Sequence, residues 1–212
     1  MPEFPASPIA PARFMQEFLP AAFEEAAELR ASLGELEAIV GVMLVGESGG
    51  EWTVHLEAGR VSVRAGSRDA AAFTWIQSVE DWRGALWEGR GGALGEQAAG
   101  VFRPGAAGSG ALAGVPGPAA LAKMRDLEGL VRLEVDGDGD AWRLELKLGP
   151  GPIPPEPSAT LRIGAADATA LARAPEAERA SLVLQYFMAG RIRLEGDLGL
   201  FLQMQAIQMS VA

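Results

Sequence analysis

The chain has 212 residues, with 28 Asp and Glu against 18 Lys and Arg, a net charge of −10, and no cysteine. Hydrophobic residues make up 49%, enough for a sizeable core, and charged residues 22%. Disulfides, thiolate catalysis and cysteine-based metal sites are excluded, and the shortage of cations opposes non-specific binding to nucleic acid or anionic membrane.

From Met1 to Arg13 there is no basic stretch followed by a long apolar run, so a secretory signal is not expected. No later window reaches the roughly 18 consecutive apolar residues of a membrane span. These features lead to the expectation of a cytoplasmic protein with no integral membrane segment. Residues 11–33 predict a helix in one or two pieces. Phe14, Phe18, Ala22 and Ala26 recur at helical spacing, and Pro20 starts a second piece or kinks the first.

Strand-like runs follow. Ala38–Val45 is apolar and rich in branched residues. Trp52, Val54 and Leu56 alternate with Thr53, His55 and Glu57, and Val61 and Val63 alternate with Ser62 and Arg64. A further strand surrounds Phe73 and Trp75. Ser78, with Asp81 three residues on, caps a helix whose apolar face is Val79, Trp82 and Leu86. Residues 89–118 are rich in Gly and Pro, which predicts a linker or mobile flap over 89–115, with short helices near 92–99 and 118–127.

The pattern then returns. Leu130–Val135 reads as a strand. Trp142, Leu144, Leu146 and Leu148 alternate with charged residues, Ser158–Ile163 is a further strand, and Ala165–Arg173 a helix. Trp52 matches Trp142 and Gly59 matches Gly149, each 90 positions apart, while Thr74 matches Thr160 and Asp81 matches Asp167, each 86 apart. The correspondence predicts a duplication in which 36–88 and 127–173 share one topology.

A helix opening at Pro175 and Glu176 places Ala180, Val183, Leu184, Phe187 and Met188 on one face, and Gly190 ends it. Arg191–Glu195 alternates as a half-buried strand. Asp197 is an N-cap for a last helix from Leu198 to about Met209 that is apolar over most of its circumference. Such a helix is buried on several sides or lines a cavity.

This ending, "YFMAGRIRLEGDLGLFLQMQAIQM" from Tyr186 to Met209, resembles the sterol-carrier-protein-2 family. "ATLRIGAADATALA" and "AWRLELKLG" upstream extend the resemblance over about 127–212. It implies an α+β fold, a mixed sheet packed with helices. The chain then divides into an N-terminal helical segment (1–35), a degenerate repeat (36–88), a linker with a short helix (89–126) and a lipid-binding module (127–212). It further implies a non-catalytic carrier of a sterol, fatty acyl or prenyl lipid with no cofactor and no metal. The expected ligand-facing residues are Val183, Leu184, Phe187, Met188, Leu198, Phe201, Leu202 and Met209. One departure stands out. Where the family has another strand, this chain has Pro150, Pro152, Pro154, Pro155 and Pro157, so that strand is lost or lies at an edge.

Other chemistry has weaker support. Gly46-Glu47-Ser48-Gly49-Gly50 fits G-x-S-x-G, but a nucleophile elbow needs a helix after the Ser, and here a strand follows. His55, the sole histidine, lies on the polar face of that strand. Asp136, Asp138 and Asp140 suggest a calcium loop, yet the positions that need Gly and Glu hold Ala141 and Lys147. The alternatives to a carrier are a ligand-free protein-interaction module and, behind it, a hydrolase using Ser48.

Overall fold

The computed structural model describes residues 3–27, 30, 34, 37–66, 68–103, 118–137 and 139–209. Eight strands form a single sheet: β1 Ala38–Val45, β2 Gly50–Glu57, β3 Arg60–Ala65, β4 Phe73–Ser78, β5 Gly129–Asp136, β6 Trp142–Leu148, β7 Ala159–Gly164 and β8 Ile192–Gly196. Their spatial order is β3-β2-β1-β4-β6-β5-β7-β8. With its helices this is a mixed-sheet α+β fold, as the sequence predicts.

Two four-strand groups meet at the β4–β6 junction. In the first, β1 pairs antiparallel with β2 and parallel with β4. In the second, β5 pairs antiparallel with β6 and parallel with β7. A helix follows directly in each case, α3 Val79–Arg83 after β4 and α6 Ala165–Arg173 after β7. In the first group β3 flanks β2. In the second no strand forms between β6 and β7, where the prolines sit, and β4 flanks β6 instead, antiparallel. Proline has no amide to give to a ladder, so the side of β6 left vacant is filled by the last strand of the other group.

One row crosses all eight strands on one face: Ala65, Trp52, Val42, Trp75, Leu146, Val131, Ala159 and Gly196. Trp142 lies four residues before Leu146 on β6, so Trp52 and Trp142 share this face, and both are buried. The registers refine the correspondence between the groups. Trp52 opposes Val42, which pairs with Trp75, and Trp142 opposes Val135, which pairs with Ile163. Trp75 therefore corresponds to Ile163, 88 positions on, rather than 86. A two-residue slip keeps every side chain on its face.

In the second group the opposite face carries charged pairs. Arg132 Nη2 lies 2.6 Å from Glu145, Arg162 Nε 2.6 Å from Glu134 and Arg143 Nε 3.3 Å from Glu134, tying β5 to both neighbours. Lys147, buried on this face, donates to the carbonyl oxygens of Gly149 and Pro150 and so secures the start of the proline segment. Desolvation holds its ammonium below its ordinary pKa, with Arg68 adding in the same direction.

Helices cover the apolar face. The N-terminal helix runs as α1 Pro11–Arg13, a π-helical turn over Phe14–Phe18 and α2 Leu19–Glu25. The wide turn falls where Pro20 removes an amide from the ladder. At Ala26 the backbone leaves the helical region (φ −80°, ψ 80°) and ends α2; beyond it the Arg30 amide donates to Ala26 O at 3.0 Å and the Gly34 amide to Arg30 O at 3.1 Å, a helical spacing, while residues 28, 29 and 31–33 lie outside the described residues. A second π-helical turn, Gly84–Glu88, extends α3. Among the described residues of 89–126 are two helices, α4 Gly92–Gly100 and α5 Pro118–Arg125, with Ala99, Phe102 and Leu121 buried. The centre of the segment expected to be mobile, 104–117, lies outside the described residues.

Candidate functional site

The two closing helices are α7 Glu176–Met188 and α8 Leu198–Met209. Gly190 ends α7 with a left-handed φ of 70°, and the Arg191 amide donates back to Tyr186 O at 2.8 Å. Asp197 caps α8, its Oδ1 accepting from the Leu200 amide at 3.0 Å. β8 joins the two helices, so the sequence signals for stop, strand and cap place both helices beside one edge of the sheet.

Tyr186 is buried on α7, and the Arg191 guanidinium lies 3.9 Å from its ring centroid. Arg191 also forms a bidentate pair with Asp167 on α6, which fixes the C-terminal end of α7 to the helix beneath. The stripe that the sequence assigns to a ligand turns away from this anchor. Leu184 is 62% exposed and Met188 77%, with Val183 and Phe187 also exposed.

On α8 the anchor is Leu200, which packs so closely over Gly129 that a Cβ there would come within 2.7 Å of its Cδ2. Ile207 is buried with it. Leu198 and Leu202 are exposed, and Phe201 is half-buried. The Met209 side chain lies outside the described residues. Six of the eight candidate residues thus lie in solvent-facing positions on two helices that flank one strand, and Phe201 sits at their margin. Single exposed apolar residues are ordinary; here several large ones are concentrated on two helices around one edge of the sheet.

Residues 111–209 match the family described as the SCP-2 sterol transfer family. The match covers a little under half of the chain and places the resemblance in its C-terminal part. The matched span starts earlier than the 127 read from the sequence and takes in α5. No curated protein matches the chain. Among solved structures, sterol carrier protein 2 like 2 from Aedes aegypti is 18% identical, over 42% of this chain and 77% of that one, with a TM-score of 0.27. The palmitated form of the same mosquito protein is 17% identical over 42% and 91%, with a TM-score of 0.28. A UbiJ-SCP2 ubiquinone synthesis protein is 10% identical over 93% and 91%, with a TM-score of 0.26.

The SCP-2 segment holds both helices and all eight candidate residues. The other sequence motifs resolve differently. Ser48 sits in the turn between β1 and β2 with φ 61°, and a strand follows it, so it is a hairpin residue rather than a nucleophile elbow. His55 is half-buried on β2, on the face that carries Thr53 and Glu51. Asp138 of the acidic turn lies outside the described residues, and among those described no group of three or more His, Cys, Asp or Glu could hold a metal. No helix of the described residues is long and apolar enough to cross a membrane.

One feature escaped sequence reasoning. Phe4, Phe14, Phe18, Trp82, Trp87 and Phe102 form a continuous ring cluster, with centroid separations of 5.0–6.4 Å. Trp87 Nε1 donates to Pro5 O at 2.7 Å, and the Arg103 guanidinium sits 4.5 Å from the Phe4 ring centroid. The clue lay in the phenylalanines at 4, 14 and 18, but the contact spans more than 80 positions and no local periodicity reports it.

Proposed function

We propose that the SCP-2 segment binds a lipid or other long apolar molecule non-covalently, with the exposed faces of α7 and α8 forming the walls of its site. The observation that carries this reading is the placement of Leu184, Phe187 and Met188 on α7 and Leu198 and Leu202 on α8 in exposed positions within the family-matched segment. Phe201 and Met209 belong to the same proposed wall, and residues 36–88 are read as a degenerate copy of the module without closing helices of its own. Sterols, fatty acyl chains and prenyl lipids all fit this chemistry, which needs no catalytic group and no cofactor. The absence of cysteine supports a cytoplasmic setting.

Burial alone drives the binding. Each methylene removed from water contributes about 0.8 kcal/mol, so a twelve-carbon chain offers roughly 10 kcal/mol before costs. Association and ordering remove part of it, leaving affinity in the micromolar range.

Solvent extraction of the purified protein followed by mass spectrometry tests the reading. An apolar molecule should co-purify with the wild type and be lost from a Leu184→Gln/Met188→Gln variant that still folds. A wild type that carries no such molecule and binds no fluorescent fatty acid or sterol would overturn it.

A further inference from the structure

β8 ends the sheet, and its outer side pairs with no strand among the described residues. The amides on that side follow from the register. Asp197 N donates to Ser158 O at 2.8 Å, and β8 opposes β7 as Gly196–Ala159, Leu194–Leu161 and Ile192–Ile163. Hydrogen-bonded and non-bonded pairs alternate along an antiparallel ladder. Asp197, Glu195 and Arg193 therefore direct their backbone groups toward β7. Ile192 and Leu194 direct theirs outward, and Gly196, with φ 88°, ends the extended run.

The charge order along this edge is antisymmetric about Leu194: Arg191, Ile192, Arg193, Leu194, Glu195, Gly196, Asp197. We propose that β8 pairs antiparallel with β8 of a second copy of this chain about a two-fold axis at Leu194, joining two eight-stranded sheets edge to edge.

In that register Leu194 exchanges both backbone hydrogen bonds with Leu194 of the second copy, and Ile192 opposes Gly196. Arg193 then opposes Glu195 at a non-hydrogen-bonded position, where opposed side chains come closest. The two-fold axis makes two such pairs. Arg193 is exposed and has no ion-pair partner among the described residues, and Glu195 has a long contact of 3.6 Å to Arg162. Both are available. Arg191 and Asp197 are also brought opposite one another, although each already serves its own copy through Asp167 and the α8 cap.

Neighbouring registers that keep the sheet faces aligned are poorer in charge, because their unlike pairs draw on Arg191 or Asp197, which already serve their own copy. A shift to either side sets Arg193 on Arg193 or Glu195 on Glu195, and opposed like charges destabilise a strand pair. The other end of the sheet offers no such match. The polar face of β3 carries Arg60, Ser62 and Arg64 with no acidic residue to pair with itself. Exposed strand edges are templates for pairing, and this one carries unlike charges in a self-complementary order where an edge protected against pairing would carry like ones.

Sedimentation velocity and native mass spectrometry of the full chain at about 0.15 M salt read the outcome directly. The wild type should run at twice its 22.2 kDa mass at micromolar concentration. Arg193→Glu and Glu195→Arg should each weaken the dimer by roughly tenfold or more, because both cross-strand pairs become repulsive. Mixing the two variants should restore dimers as a heteropair, since each then supplies the charge the other lacks. Leu194→Pro removes an outward amide, which an edge strand tolerates, and should give a folded monomer. A monomeric wild type at about 100 µM overturns the proposal. So do single reversals that stay fully dimeric, or a mixture of folded reversals that fails to pair. The readout is mass, so these outcomes are independent of whether a lipid is bound.

Discussion

The two ends of the sheet present the same kind of apolar face, and the chain treats them differently. At the N-terminal end Trp82 is 1% exposed, with its ring 5.0 Å from Phe14 and 5.6 Å from Trp87, and Phe102 meets Trp75 edge-on at 5.4 Å. The covering helix comes from ahead of β1, and Phe4 closes the cluster from outside. At the C-terminal end α5 precedes β5 in the same order and buries Ala120, Leu121 and Met124, but α7 and α8 each leave an apolar stripe uncovered. One end is packed to completion by the chain itself. The other keeps apolar surface that another molecule can cover, and surface of that kind contributes little to folding.

Truncation separates the two ends most sharply at Trp82. Removing this ring from a packed aromatic cluster leaves a void on all sides, and Trp82→Ala should cost about 3–5 kcal/mol of stability, read as the shift of a urea midpoint at constant slope. A loss under about 1 kcal/mol would mean that the N-terminal end is as loosely packed as the other.

Phe201 sharpens the comparison from the other side. It is half-buried at the margin of the exposed stripe, so Phe201→Ala should cost less, on the order of 1–2 kcal/mol, and should weaken binding of a fluorescent fatty acid. The paired measurement matters. A core-sized stability loss with unchanged probe affinity would assign Phe201 to plain packing and take it out of the proposed wall.

Much of this was legible in the sequence, for local reasons. Alternation gives some of the eight strands and short apolar, branched or aromatic runs the others, because both patterns are written in neighbouring positions. Ser78, Gly190 and Asp197 act where they stand, as cap, stop and cap, since each needs only its own backbone neighbours. The prolines at 150–157 announce a missing strand for the same reason. What fills the gap was not legible. β4 comes to β6 from some 70 positions away, and nothing in either strand names the other. The Phe4–Trp87 contact was hidden likewise. The stripe on α7 was visible as an apolar periodicity, but periodicity does not say whether such a face meets protein, ligand or water. Only the buried Tyr186 on the opposite side of the helix decides which way the stripe points.

The smallest expected effect lies at the start of α3, in the fully packed half. Ser78 Oγ accepts from the Asp81 amide and donates to Asp81 Oδ2, both at 2.9 Å, while Arg90 Nη2 lies 3.4 Å from Oδ1. Burial pushes the Asp81 carboxyl above its ordinary value of 3.8, outweighing the Ser78 hydrogen bond and the Arg90 charge that pull it down. Between the unfolded and the folded pKa the native state therefore holds more protons than the unfolded chain, and stability falls as pH rises. The contribution of this group is complete below pH 3.8 and is lost as pH passes the raised folded value. Asp81→Asn cannot titrate there. The stability of the wild type relative to this variant should thus be greatest in acid and decline toward neutrality, by an amount well under the cost of Trp82→Ala. Urea midpoints of the two proteins at about pH 3.5 and 6 measure it. A difference that grows with pH instead would mean that Ser78 and Arg90 stabilise the carboxylate more than burial opposes it, and that even the tightly packed end holds this buried carboxyl as an open surface would.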